Sequence, residues 1–320
     1  MARFLTQRLI SSFISIIGAT LVIFLLVQLH NDPRELYVPD SGYGLTEEQW
    51  EMLGEKMGFN DPLPIQYWNW ISGAFMGEFG VSLAQQVPVR DIIQNRMRAT
   101  IELAIGGWAF AILLGIPTGV FAAVKRGTFW DYIARGVAIV GQGAPPFVIG
   151  LLLIVIFAVW LQDTPFYLPA AGRPPQFDFR NYILPCIALG WPAAAGLMRL
   201  TRSAMLEVLD SEFVKLARAK GVGWNKVIYK HALKNALITP LTSALLLFSG
   251  WLNGALVIEI IFGWPGIGYD ALFTAVNDND FPLLQGTVFF FVIIFVIFAL
   301  LADLLYTIID PRVRLTGGEK

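Results

Sequence analysis

Charge is scarce in this chain of 320 residues: 23 Lys and Arg and 24 Asp and Glu make up 15% of it, with a net charge of −1. Soluble domains carry about 25% charged residues, so an ordinary water-facing surface is excluded. The near-neutral balance offers no basic surface for nucleic acid. Histidine is rarer still, with only His30 and His231. The lone Cys186 has no partner in the chain, which excludes a disulfide framework and leaves no four-ligand zinc set. No lysine precedes a serine or threonine, so the phosphate-cradling Gly-x-x-x-x-Gly-Lys-[Ser/Thr] loop is missing. If ATP drives anything here, it is hydrolysed on another polypeptide. No catalytic residues are expected, and no cofactor or metal belongs to this chain.

What is present is apolar. Six stretches hold no Asp, Glu, Lys or Arg: 9–31, 103–124, 136–162, 181–198, 235–258 and 281–302. Each reaches the roughly 18–20 residues needed to cross a hydrocarbon layer about 30 Å thick. The expectation is an all-α membrane protein of six transmembrane helices. The first stretch follows Arg3 and Arg8, but it is too long for a signal-peptide core and lacks a small-residue cleavage site, so it reads as an uncleaved helix.

Orientation follows the positive charges in the short loops. The connection 125–135 carries Lys125, Arg126 and Arg135, and the connection 199–234 carries eight basic residues. By contrast, 163–180 has only Arg173 and Arg180, and 259–280 has none. Both termini and the 199–234 loop are therefore expected in the cytoplasm. The domains expected are an N-terminal helix (1–31), an extracytoplasmic segment (32–95), a five-helix core (96–310) with a cytoplasmic loop (199–236), and a short tail (311–320).

In the outer segment, Thr46-Glu-Glu-Gln49 fits a capping box opening a helix through about Lys56. Asp61-Pro-Leu-Pro64 then breaks the chain before a Trp-rich stretch whose Trp68 and Trp70 suit the headgroup level. Prolines interrupt three apolar stretches, at Pro117, at Pro145-Pro146, and at Pro185 and Pro192. Such breaks survive at membrane depth only against protein or a water-lined cavity. Gly115/Gly119 and Gly250/Gly254 allow close helix approach. Glu102, Glu259 and Asp303 bound the apolar stretches, and structural pairing at helix ends or a place on a pathway are both open to them.

The insert from Ser211 to Pro240 is basic and amphipathic. Glu212 suits the first turn of a helix capped by Asp210 or Ser211, and Gly221 supplies a left-handed stop. Phe213, Leu216, Ala217 and Lys220 share one stripe, with Ala219 beside it. A second helix then carries Trp224, Val227, Ile228 and His231 at i, i+3, i+4 and i+7. Physics leaves two partners open for this pair of helices: a groove in a soluble protein or the anionic lipid surface.

The insert resembles the coupling loop of permeases in ATP-binding-cassette (ABC) importers. Of the broad importer motif only Ala217 and Leu233 are kept. Ala217-Arg-Ala-Lys-Gly221 with Lys230-His-Ala-Leu-Lys-Asn-Ala236 is similar to the variant of the dipeptide/oligopeptide/nickel family. The likeness extends through Asp32-Pro33, Leu53 to Leu83, Thr100-Ile-Glu-Leu103, Phe262-Gly-Trp-Pro-Gly-Ile-Gly268, Asp303-Leu-Leu-Tyr306 and Asp310-Pro-Arg312. The resemblance implies the type I importer permease fold and a B-type subunit in a bacterial inner membrane. It implies a second homologous permease, two ATPase subunits carrying ATP and Mg, and an external solute-binding protein as partners. Glu212, Phe213, Leu216, Ala217, Ala219, Lys220, Gly221 and Trp224 would then meet the ATPase. A stand-alone ion- or proton-coupled carrier is the alternative; it would want intramembrane carboxylates or an internal repeat, of which the chain offers little.

Overall fold

The computed structural model describes residues 2–30, 46–170, 172–174 and 176–309. Among them helix prevails, and the one β-bridge joins Val81 to Pro88. Four helices are long and apolar enough to cross a membrane, and six spans result if each of two bent helix pairs counts as one. The described residues form two compact units, one within 1–98 and 266–297, the other within 99–265 and 298–320.

In the first unit, α1 (Ala2–His30) is followed by α2 (Glu47–Met57), opened by Thr46 and Gln49 in the expected capping box and closed by Gly58 at φ 73°. Helix α3 (Leu63–Met76) starts directly after Pro62, where the missing N–H costs nothing. Trp68 faces outward, and Trp70 packs among Phe24, Tyr67 and Phe289. Thr20 and Tyr67 hydroxyls lie 2.8 Å apart and pin α1 to α3. Asp280, fully buried, accepts from the Ser82 hydroxyl at 2.5 Å and from the Leu283 N–H at 3.1 Å. It thereby fixes the 80–88 turn to the start of the last helix, Phe281–Ile309.

The second unit is built on α4 (Val89–Val124, whose first turns lie in the first unit), α5 (Phe129–Gly143), α6 (Pro146–Leu153, continued by a π-helical turn Ile154–Trp160) and α7 (Phe179–Leu209). The third apolar stretch is not one straight span. Pro145 and Pro146 end α5, and α6 leaves at 108° to it, since neither proline has an N–H to continue the ladder. Pro117 in α4 and Pro185 and Pro192 in α7 are carried inside continuous helices. Pro185 is buried against protein, as the cost of a freed carbonyl in lipid demands.

Lipid removes the hydrophobic drive between helices, so packing depends on close backbone approach. A Cβ on Gly115 would lie 2.6 Å from the Ala194 carbonyl oxygen, and one on Gly119 2.6 Å from that of Met198. The expected glycine pair therefore seats α4 on α7. The side chains around Gly250 and Gly254 lie outside the described residues.

Polar clusters bracket this apolar body. On α7, Tyr182 belongs to one and Arg202 to the other, about 20 residues or about 30 Å apart at 1.5 Å per residue. That separation matches the thickness of the hydrocarbon layer. Replacing Gly119 with leucine is expected to overpack the α4–α7 contact by about 1–3 kcal/mol or more. Leucine at Gly18, which has nothing within 4 Å of its Cβ, should be neutral. Thermal unfolding of both variants in detergent measures the difference.

Candidate functional site

The insert closes α7 and reopens as two short helices. After Leu209 the chain turns at Asp210 and Ser211 into α8 (Glu212–Ala219). Neither expected cap bonds the new helix through its side chain: Ser211 Oγ donates backwards to the Val208 carbonyl at 2.5 Å. Asp210 instead meets Arg126 at 3.4 Å in an exposed pair worth under about 1 kcal/mol. Gly221 stands at φ 79°, and its N–H donates to the Arg218 carbonyl at 2.9 Å. The left-handed stop is therefore where the glycine placed it. Helix α9 (224–236) follows, with a π-helical turn over Val227–Ala232.

The two helices divide their apolar residues between anchor and ridge. Val227, Ile228, Ala232 and Ala236 of α9 are buried, and the last three pack with Met205 of α7 and Val120 and Ala123 of α4. Val214 of α8 is 1% exposed. The stripe named from the sequence faces the other way, with Phe213 46% and Leu216 57% exposed, and Trp224 at the start of the next helix is 43% exposed. Ala217 is half-buried, and Glu212, Ala219, Lys220 and Gly221 are exposed. The second stripe does not stay together, because Val227 and Ile228 are needed as anchors while Trp224 remains outside. Trp224 gains the Arg218 guanidinium, 5.1 Å from its ring centre. Lys215 donates to Glu212 at 2.8 Å, and that bond raises the lysine's pKa. An exposed aromatic and aliphatic ridge thus sits on a base held by the ends of α4 and α7.

A buried ion pair stiffens that base. Asp131, 1% exposed, accepts two hydrogen bonds from Arg202 at 2.8 and 2.9 Å. It also accepts from the Gly127 N–H at 3.0 Å, with Arg135 at 3.6 Å. The turn between α4 and α5 is thereby tied to α7 two turns before the insert. Neither residue stands out in the sequence, where these loops register through the sign of their charge. Asp131 is the sole acid among the charges of 125–135, and that oddity is the available signal.

The carboxylates named from the sequence lie elsewhere. Glu102 receives Arg173 at 2.8 and 3.1 Å and the Tyr182 hydroxyl at 2.9 Å. The hydrogen bonds that Arg173 donates to Glu102 keep the arginine's pKa raised. Glu259, fully buried, accepts from Thr100 at 2.6 Å. Beside them Trp264 is fully buried, donates to the Ala99 carbonyl at 2.9 Å and stacks edge-on against Tyr182. Asp303 lies outside the described side chains.

With this geometry in view, the comparisons are specific. The family described as binding-protein-dependent transport system inner membrane component matches residues 115–315, and its N-terminal membrane-component counterpart matches 1–104. The chain belongs to this family. The glutathione transport system permease protein GsiC of Escherichia coli strain K12 is 34% identical over 98% of this chain and 99% of its own length. Its namesake in Shigella flexneri serotype 5b is 33% identical over the same shares. A crystal structure of an amino acid ABC transporter with histidines matches at a TM-score of 0.50 and 17% identity, covering 68% of this chain and 93% of that one. That likeness concerns the fold alone. The protein is an inner-membrane permease subunit of an ABC importer and works with further importer components. The stand-alone carrier is not favoured.

Removing one member of the Asp131–Arg202 pair strands the other, so Asp131→Ala or Arg202→Ala should each cost about 3–5 kcal/mol. The double variant Asp131→Leu/Arg202→Met should cost far less. Detergent-solubilised unfolding midpoints of the three variants decide this.

Proposed function

We propose that the chain forms half of a translocation pathway for peptides or related small solutes and is powered through the 199–236 loop. The observation that carries this reading is the exposed Phe213–Leu216–Trp224 ridge on an anchored base. Helix-in-groove docking needs such a protruding apolar face, and transmitting force needs the base to be stiff. In this reading α8, with Glu212, Ala217, Ala219, Lys220 and Gly221 around the ridge, enters a groove of an ATPase subunit. Closure of two such ATPases, which hold ATP and Mg, rocks the helices and alternates access. A second homologous permease supplies the other half of the pathway, and an external binding protein delivers cargo.

Six spans with both termini in the cytoplasm agree with the charge bias of the loops. The same division of the chain into an N-terminal helix, an outer segment at 32–95, a core at 96–310 and a tail is kept. Relatives named for glutathione transport support a small peptide-like cargo. Glu102 and Glu259, each hydrogen-bonded, are assigned to holding the core together rather than to carrying cargo.

A side chain at position 221 would meet open space, since nothing lies within 4 Å of where a Cβ on Gly221 would stand. The φ of Gly221, however, costs an L-residue about 1–2 kcal/mol. A Gly221→Trp importer reconstituted in vesicles should insert, hydrolyse ATP, and lose at least about tenfold in uptake per ATP, because the turn setting the angle between ridge and base is altered. Uptake per ATP at the wild-type ratio would contradict the docking role. The chain purified without its partners should bind no ATP in equilibrium dialysis. Saturable binding there would place nucleotide chemistry on this subunit.

A further inference from the structure

A groove of about 330 Å³ runs along the second unit between α4, α5 and α7. Phe110, Leu114 and Phe121 of α4, Trp130 and Val137 of α5, and Trp191 of α7 form its wall. The wall is dry: the Thr118 hydroxyl, its polar member on α4, is turned back to the Leu114 carbonyl at 2.5 Å. A flexible hydrocarbon chain fits such a dry groove.

The groove has a charged end. Leu114, Thr118 and Phe121 recur at helical spacing on α4, and Lys125 continues the same stripe one turn on, its N–H still bonded to the Phe121 carbonyl at 3.0 Å. Lys125 is exposed and makes no ion pair among the described residues. Among the described residues, Arg126 beside it is held by the exposed 3.4 Å contact to Asp210. Trp130, 56% exposed, stands at this mouth, where indole rings suit the boundary between hydrocarbon and headgroups.

The geometry points to a bound anionic phospholipid, with one acyl chain in the groove and its phosphate against Lys125 and Arg126. The inference rests on the proposed orientation only in placing this lipid in the cytoplasmic leaflet, where anionic headgroups concentrate. Such a lipid would abut the Asp131–Arg202 pair and so the base of the docking loop.

The test uses the whole importer complex purified from a membrane and exchanged into detergent, then analysed by native mass spectrometry with phosphatidylglycerol or phosphatidylethanolamine added back. The wild type should retain phosphatidylglycerol in preference to phosphatidylethanolamine. Lys125→Gln/Arg126→Gln should lower phosphatidylglycerol retention by roughly thirtyfold and leave phosphatidylethanolamine unchanged. Ala134→Trp, which fills the groove from α5, should abolish the preference. Equal retention of both lipids by the wild type, or unchanged retention in the charge variant, would overturn the proposal, as would photo-cross-linking to the second permease from a labelled Val137→Cys. The charge variant alters exposed residues and so decides the matter even if Ala134→Trp fails to fold. Loss of uptake in Gly221→Trp with lipid retention intact would separate this claim from the docking claim.

Discussion

One buried ion pair ties the α4–α5 turn to α7 at the base of α8 and α9. Asp131 sits at the start of an apolar helix with almost no contact with solvent, so its charge must be met by protein. Arg202 meets it with a two-bonded fork, and the Gly127 N–H adds a third bond. Those bonds decide where the α4–α5 turn lies against α7. The hydrophobic contacts of α9 with Met205, Val120 and Ala123 then continue the same assembly to the loop.

The opposite end of the second unit follows the same rule. Glu102, Arg173 and Tyr182 close a polar cluster beside the buried Trp264. A strap from the 163–178 connection is held by the Gly172 N–H on the Phe262 carbonyl at 2.8 Å. The Phe262-Gly-Trp-Pro-Gly run, met first as a family signature, thus has a physical content: Gly263 turns at φ 57° and drops the indole into the core. Between the two ends the helices approach through glycine, and the charged groups mark the limits of the apolar layer.

Much of this was legible in the chain itself. Absent charge located the apolar helices, the capping box placed α2, Gly115 and Gly119 announced a close helix contact without naming its partner, and Gly221 marked the stop of α8. What escaped were facts of partnership rather than of pattern. Nothing in periodicity distinguishes Val214, which is buried, from its neighbour Phe213, which is not. Counting Lys125, Arg126, Arg135 and Arg202 by sign hid the one that Asp131 had claimed. A charge-free run also cannot show that Pro145-Pro146 turns the helix by 108°, because hydropathy carries no direction.

The central claim is that the α8 ridge faces an ATPase while its neighbour Val214 faces inward. The chain's single cysteine makes this directly measurable. In a Cys186→Ala background of the assembled importer, cysteines placed at Phe213, Leu216 or Val214 can be labelled with a short thiol-reactive photo-cross-linker. The account predicts cross-links from 213 and 216 to an ATPase subunit and none from 214. Cross-linking from all three alike, or labelling of 213 and 216 by a lipid-soluble reagent with no ATPase product, would contradict it.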